Sequence, residues 1–252
     1  MIFYKTSSEI EIMAEGGKIL AAILRELALA VKPGIKTKEL DLLAHGLCRE
    51  HKVAPAFLGY AVAGKKYPAS LCVSVNDEVV HGIPSDRVLQ KDDMVGLDMG
   101  VVYQGWNLDS AVTVEVQSEK RKAKNEKLIA VTREALNLGI AQAKPGNHIG
   151  DISHAIQQYI ESNGFAVVRD LVGHGVGRKL HEEPAIPNFG KPGDGAELRE
   201  GMVIAIEPMV TAGGWRVRLA ADHWTYKTKD GSLSAHFEHT VAITKNGPVV
   251  LT

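Results

Sequence analysis

The 252-residue sequence has few cysteines, almost no net charge and no long apolar run, and each shortage excludes a class of protein. Cys48 and Cys72 are too few for a disulfide scaffold, and both suit a reducing compartment. The net charge of −1 argues against nucleic-acid binding, because phosphate recognition requires a basic surplus. No apolar stretch reaches the roughly 18 residues of a membrane span, and residues 1–17 lack the apolar core of a secretory signal. We therefore expect a cytosolic protein without a membrane partner.

The order of predicted elements occurs twice along the chain. Helices are predicted over about 8–31 and 37–52, and again over 118–143 and 149–163, each pair joined by a Lys-Pro-Gly turn. β-Branched segments broken by Gly, Pro and Asn follow each pair and are typical of strands. The alternative is a chance recurrence of two common turns. We predict an α+β fold in one domain over 1–252, with two similar halves (about 1–117 and 118–252) and helices on one face of a curved antiparallel sheet.

Helix start signals precede the first two helices. Ser8 and Glu11 have the spacing of a capping box, in which a hydroxyl and a carboxylate accept hydrogen bonds from free helix amides. Thr37 follows the first Lys-Pro-Gly turn, and its hydroxyl can cap the second helix. We therefore expect these helices to begin at about Ser8 and Thr37.

Four carboxylates interrupt apolar segments that are otherwise typical of strands. They are Asp98 in MVGLDMG, Asp109 in NLDSAVTV, Glu207 in MVIAIEPM and Glu238 in FEHTVAI. Strand interiors disfavour Asp and Glu, and burying a carboxylate is costly unless it is paired or binds a metal. Any one of them alone would be read as an edge-strand acid facing water. Four together, each beside a strand core, predict a shared site.

Asp98 and Asp109 are the most informative pair of acids. The segment between them contains Gly100, Gly105 and Asn107, which suits a turn between two antiparallel strands. Paired strands would bring both carboxylates together, where they repel unless one is protonated or a cation binds. We therefore expect the acids to bind divalent cations of the first transition row.

The histidines fall into three groups. His174 lies between glycines that leave its ring uncovered, and we expect it to join the acids as a metal ligand. His81 and His181 stand beside turns in suggestive settings, whereas His239 should face away from its neighbour Glu238 because strand side chains alternate. The remaining histidines are expected on the solvated surface, namely His45, His51, His148, His154, His223 and His236.

Five segments in order carry a resemblance to a known family. They are NDEVVHGIP (76–84), GHGVG (173–177), HEEP (181–184), IEPM (206–209) and SAHFEHT (234–240), with both aspartates between the first and second. The chain resembles the type I methionine aminopeptidases, metallopeptidases of family M24 with the pita-bread fold, over essentially its whole length. The resemblance implies removal of an N-terminal methionine by a metal-activated water.

The resemblance also implies the metal ligands. Asp98 would chelate one of two divalent ions, Asp109 and Glu238 would bridge both, and His174 and Glu207 would complete the other. The ions could be cobalt, manganese, iron, zinc or nickel, since a mixed oxygen and nitrogen site accepts them all.

The remaining site residues follow from the same resemblance. His81 and His181 would contact the substrate near the scissile peptide, and Glu207 would shuttle a proton. An apolar pocket for the first side chain would be formed by Tyr60, Tyr67, Cys72 and Trp224. Phe57 and Leu180 also lie at pocket positions, where the family is expected to have a small residue and an aromatic. The segment 61–66 is longer than usual, and Asn107-Leu108 precedes Asp109 in place of a His-Gly pair; neither departure touches the metal ligands.

The resemblance implies partners and leaves alternatives. Nascent chains and N-terminal Met peptides would be the substrates, and the family is usually monomeric. The basic cluster Lys120, Arg121, Lys122, Lys124 and Lys127 could face the ribosome, although a solvated helix face explains it more simply. The alternatives are an Xaa-Pro aminopeptidase or dipeptidase of the same fold, and a pita-bread binding protein without catalysis.

Overall fold

Two pairs of helices occur at the predicted places in the computed structural model, which describes residues 1–117 and 123–252. They are α1 (Ser7–Ala30), α2 (Thr37–Glu50), α3 (Ala123–Gln142) and α4 (Ile149–Ser162). The predicted start of the third helix at 118 lies outside the described residues. None of the described helices is long and apolar enough to cross a membrane.

Most predicted strand segments are present, several of them divided into shorter strands. The described residues form β1 (Ala54–Pro55), β2 (Ala61–Val62), β3 (Lys65–Lys66), β4 (Cys72–Val75), β5 (Glu78–Val80), β6 (Met94–Tyr103), β7 (Trp106–Glu115), β8 (Ala166–Val167), β9 (Val172–Gly175), β10 (Glu182–Pro187), β11 (Val203–Ile206), β12 (Met209–Thr211), β13 (Val217–Leu219), β14 (Tyr226–Thr228), β15 (Ser234–His236), β16 (Glu238–Thr244) and β17 (Gly247–Val250). Pro208 separates β11 from β12, because proline cannot donate a ladder hydrogen bond.

The main sheet joins both parts of the chain. Its order is β1-β6-β7-β16-β11-β9-β10, with β17 also on β16 and β4 also on β6, and its strand pairs are antiparallel. The β7–β16 pair links the first half to the second. The division at residue 117 stays a prediction.

The helices cover one face of this sheet. Leu97, Met99 and Leu108 are fully buried in a core that includes α1 and α2, while a second core contains α3, α4 and parts of β11 and β16. Because strand side chains alternate, Asp98 and Asp109 belong to the face opposite Leu97 and Leu108. The helices therefore stabilise one face of the sheet and leave the other for a site.

The helix starts differ from the predictions in their details. Thr6 caps α1, and its partner is Glu9: the Thr6 hydroxyl accepts from the Glu9 amide, and the Glu9 carboxylate accepts from the Thr6 amide. The predicted Ser8 and Glu11 box is therefore wrong by two residues, because Thr6 and Glu9 have the same spacing. Thr37 is not a cap either. It is the first residue of α2, and its hydroxyl exchanges hydrogen bonds with the Ser85 backbone.

Candidate metal centre

Three carboxylates meet on the open face of the sheet because of strand register. Asp98 of β6 and Glu238 of β16 both lie opposite Ala111 of β7, one on each side. Asp109 lies two residues before Ala111 on β7, and therefore on the same face. The predicted antiparallel pairing of the two aspartate segments is confirmed. Asp109 is itself opposite Gly100, so the two aspartates are diagonal neighbours.

Glu207 and His174 approach the same point from the next two strands. Glu207 directly follows β11, where Ile206 pairs with His239 of β16. His174 lies on β9, which pairs with β11. The Nε2 atom of His174 is 3.5 Å from Glu207 Oε1 and 3.9 Å from Asp109 Oδ2. His174 Nδ1 donates to the Gly175 carbonyl at 2.9 Å, which directs a free Nε2 lone pair toward the carboxylates.

His236 also belongs to this cluster, and the prediction that it lies on the solvated surface is wrong. Its side chain is buried at the end of β15, with Nε2 3.6 Å from Glu207 Oε2. The two-residue spacing between His236 and Glu238 is the sequence signal that could have found it, since alternate strand residues share a face.

The chemistry of these residues fits a divalent cation. Burial raises the pKa of Asp98, Asp109, Glu207 and Glu238, and for Asp109 and Glu238 the neighbouring carboxylates raise it further. Within the described residues, Asp98 Oδ1, Glu238 Oε1 and His236 Nε2 are buried without a hydrogen-bond partner. Two overlapping sets of ligand atoms lie within 4.8 Å of one another, Asp109-His174-Glu238 and Glu207-His236-Glu238. A bound cation would satisfy these atoms and remove the repulsion.

The carboxylates line the inner end of a cavity of about 300 Å³. An apolar cluster forms another part of the cavity wall, and all of the predicted pocket residues belong to it: Phe57, Tyr60, Tyr67, Cys72, Leu180 and Trp224. Aromatic rings meet edge to face there, with the Tyr67 and Trp224 centroids 5.3 Å apart. The cavity therefore joins an anionic end to a wall suited to an apolar side chain.

His81 and His181 lie beside the carboxylate cluster. His81 follows β5 with a φ of 59°, a left-handed conformation, and burial lowers its pKa to about 4. The His181 ring centroid is 4.2 Å from that of His174, and its Nδ1 is 2.6 Å from the Tyr60 hydroxyl. Both imidazoles line the cavity.

The other histidines lie outside the cavity. His239 Nδ1 is 3.1 Å from the Thr252 hydroxyl, in agreement with its predicted opposite orientation. The predicted surface histidines other than His236 are exposed or half-buried: His45, His51, His148, His154 and His223.

Asn107 has a structural explanation. Its backbone amide and its side-chain Nδ2 both donate to the Gly177 carbonyl, at 2.8 and 3.0 Å. These bonds tie β7, which carries Asp109, to the loop that follows His174. Asn107 itself is absent from both ligand sets.

Residues 11–245 match Metallopeptidase family M24. The chain belongs to metallopeptidase family M24. It is 49% identical to the methionine aminopeptidase of Clostridium perfringens over 252 residues, which cover 100% of this chain and 99% of that relative. It is also similar to the crystal structure of methionine aminopeptidase from Thermotoga maritima, with 49% identity, a TM-score of 0.96, and coverage of 100% and 99% of the two chains.

Prolidase from Pyrococcus horikoshii shares the M24 fold at a greater distance. Its crystal structure has a TM-score of 0.79 and 25% identity, and the match covers 99% of this chain but 63% of the prolidase. These likenesses confirm the predicted α+β pita-bread fold. Membership of a metallopeptidase family implies a divalent metal at the carboxylate cluster.

Because His236 faces Glu207, we predict that it positions this carboxylate in the M24 site. His236→Ala is expected to lower turnover by about 10- to 100-fold while metal content is retained, as is typical when a partner of a ligand is removed. Steady-state kinetics and metal analysis of the same preparation measure the two effects, with His154→Ala, on the outer helix α4, as the control. Unchanged turnover would contradict the positioning role, and lost metal would make His236 a ligand.

Proposed function

We propose that this M24 chain removes the N-terminal methionine from peptides and newly made proteins by metal-assisted hydrolysis. The observation that carries the proposal is the cavity, in which a buried carboxylate and histidine cluster adjoins an apolar wall. The relatives named methionine aminopeptidase match this chain over its full length, which supports the same activity here.

We assign two divalent ions to the cluster. Four carboxylates carry four negative charges when ionised, and two dications balance them in a site where water is scarce. Asp98 would bind one ion, His174 and Glu207 the other, and Asp109 and Glu238 would bridge both. The donor set suits cobalt, manganese, iron, zinc or nickel.

Divalent ions of this kind, when bound, lower the pKa of a coordinated water and polarise a carbonyl oxygen. The protein supplies hydrogen-bond donors beside them. Burial raises the pKa of the Tyr60 hydroxyl, which therefore stays protonated and can donate to His181 Nδ1. Burial also lowers the pKa of His181, so its ring is neutral, and with Tyr60 as the donor to Nδ1 the ring proton is on Nε2. That N–H can donate to the oxygen that becomes negative during peptide hydrolysis.

His81 and Glu207 have different parts in this proposal. Burial keeps the His81 imidazole neutral, so it offers one N–H to the substrate peptide. Burial raises the pKa of Glu207 to about 8, so its carboxylate is a stronger base than an exposed one. In its ionised form Glu207 can take a proton from water and, once protonated, give that proton to the leaving nitrogen.

The apolar wall would select the first side chain of the substrate. Phe57, Tyr67, Cys72 and Leu180 are buried, and Trp224 packs against them. A thioether is unbranched, polarisable and favourable next to aromatic rings, which suits methionine. One methylene of misfit changes selectivity by only about 1–3 kcal/mol, so the preference is expected to be strong but not absolute.

A panel of peptides tests the proposed function. Met-Gly and Met-Ala peptides, their leucine-first analogues and Xaa-Pro peptides would be incubated with the protein and each metal ion, and free amino acids quantified. We expect release of methionine from the first group, and none in the presence of EDTA. Preference for Xaa-Pro peptides would support the dipeptidase alternative. Metal that binds without hydrolysis of any peptide would support the binding-protein alternative.

Other partners stay predictions. Of the basic cluster, Lys120, Arg121 and Lys122 lie outside the described residues, whereas Lys124 and Lys127 lie on α3. Lys127 already donates to the Asn163 carbonyl and lies 5.5 Å from the Phe165 ring centroid. These contacts agree with a role in packing. Ribosome contact, a monomeric state and a cytosolic location stay predictions from the sequence.

A further inference from the structure

The predicted insertion 61–66 forms a β-hairpin at the mouth of the cavity. β2 and β3 pair through Ala61–Lys66 and Val62–Lys65, and the two-residue turn of Ala63 and Gly64 has positive φ at both positions. Such turns match the twist of a hairpin and fix its register. The pairing extends one residue beyond the open ends of β2 and β3, where the Tyr67 amide donates to the Tyr60 carbonyl at 2.8 Å. Two residues of the cavity wall therefore anchor the hairpin.

The register decides which lysine faces the cavity. Side chains alternate along a strand, and directly opposite residues share a face. Tyr60, Val62, Lys65 and Tyr67 thus lie on one face of the hairpin, while Ala61 and Lys66 lie on the other. Tyr60, Val62 and Tyr67 all line the cavity. Lys65 therefore lies on the cavity face, and Lys66 on the face turned away.

Lys65 is exposed at this position. Among the ion pairs of residues 1–117 and 123–252, none involves Lys65. We propose that Lys65 binds a carboxylate on the third residue of the substrate peptide. The proposal rests on the proposed function, since it needs a peptide whose first side chain occupies the apolar wall.

The position of the carboxylate follows from strand geometry. An extended peptide advances about 3.3 Å per residue, so its third residue lies roughly 7 Å beyond the first. Lys65 precedes Tyr67 of the apolar wall by two residues in the hairpin, which is roughly the same 7 Å along the extended backbone. A peptide that runs alongside the hairpin would therefore bring its third residue beside Lys65. The carboxylate could be an Asp or Glu side chain at the third position, or the C-terminus of a tripeptide, because both present the same chemistry at the same place.

Charge-matched peptides test this proposal. We would measure kcat/KM for Met-Gly-Glu-Gly amide and Met-Gly-Gln-Gly amide, and for Met-Gly-Gly with a free or an amidated C-terminus. At low salt the wild-type protein is expected to prefer each carboxylate-bearing peptide by about two- to fivefold, the range of an exposed ion pair. High salt should remove the preference. The first peptide pair reports on a side-chain carboxylate, and the second on a terminal one.

The neighbouring Lys66 supplies the matched control for Lys65. Lys65→Ala is expected to abolish the preference, and Lys65→Glu to reverse it toward Met-Gly-Lys-Gly amide, while Lys66→Ala leaves it unchanged. Equal rates for both members of each pair in the wild type would overturn the proposal, as would loss of the preference in Lys66→Ala alone. Failure of the proposed function has a different result, in which none of these peptides releases methionine.

Discussion

Asp109→Asn is expected to lower turnover by about a thousandfold or more, which corresponds to roughly 4 kcal/mol of transition-state stabilisation. Asp109 is buried at the centre of the cluster, with Oδ2 3.9 Å from His174 Nε2, and it is proposed to touch both ions. An amide has the same shape but no charge, so both ions would be held less tightly. Glu238→Gln should have an effect of the same size, because Glu238 belongs to both sets of ligand atoms. Kinetics with saturating metal, together with calorimetric metal titration, measure these losses.

The adjacent residue provides the control for Glu238→Gln. His239 lies next to Glu238 on β16 but faces Thr252, so His239→Gln is expected to retain metal binding and most of the turnover.

The stability of the metal-free protein gives a second measurement of the Asp109→Asn variant. Asp109→Asn removes one of several mutually repelling buried carboxylates, so in EDTA the variant should unfold at a higher temperature than the wild type above pH 7. Near-normal turnover of either carboxylate variant with metal added would contradict the proposed bridging positions.

The site was largely predictable because its acids lie within strand segments, and strand interiors disfavour charged side chains. Asp98 and Asp109 interrupt apolar segments, and their separation by glycines predicts the hairpin that the structure contains. His236 lacks this signal, because a histidine within a strand segment is not unusual, even next to an apolar residue such as Phe237. Its two-residue spacing from Glu238 could have placed it near the cluster, but its contact with Glu207 required the structure.

The fold was predictable at the level of elements, while helix starts and strand ends depend on competing local contacts. Thr6 and Ser8 both precede a glutamate by three residues, so spacing alone cannot choose between the two capping boxes. Thr37 has the chemistry of a cap, but the nearby Ser85 backbone takes both of its hydroxyl hydrogen bonds. The 61–66 segment could be recognised as an insertion, but its register, and hence the different faces of Lys65 and Lys66, required the structure.

The metal-free protein is expected to lose stability as pH rises from 6.5 to 8. Burial raises the folded-state pKa of Asp98 to about 7 and of Glu207 to about 8, and it also raises those of Asp109 and Glu238 well above the ordinary carboxyl range. In the unfolded chain these groups ionise near pH 4, so above pH 6.5 only the folded state holds protons. Stability therefore falls with pH by about 1.4 kcal/mol per pH unit for each proton held.

The buried histidines act in the opposite direction, but at lower pH. Burial lowers the pKa of His81 to about 4 and of His174 to about 3, so both gain protons on unfolding below about pH 6.5, and their contribution to stability rises with pH in that range. The interval from 6.5 to 8 is thus governed by the carboxylates. With two protons held, the midpoint of thermal unfolding in EDTA should fall by roughly 5 °C or more across one pH unit.

Bound metal should remove this pH dependence, because a cation replaces the protons and holds the carboxylates ionised in the folded state. The stabilisation by manganese, measured as the shift of the unfolding midpoint, is therefore expected to grow steadily from pH 6.5 to 8. Glu238→Gln should show a weaker pH dependence in EDTA and a smaller shift with metal, while His239→Gln should match the wild type. A midpoint in EDTA that stays constant from pH 6.5 to 8 would mean that the four carboxylates are already ionised without metal. The cluster would then lack the burial and repulsion that make it a site for two dications.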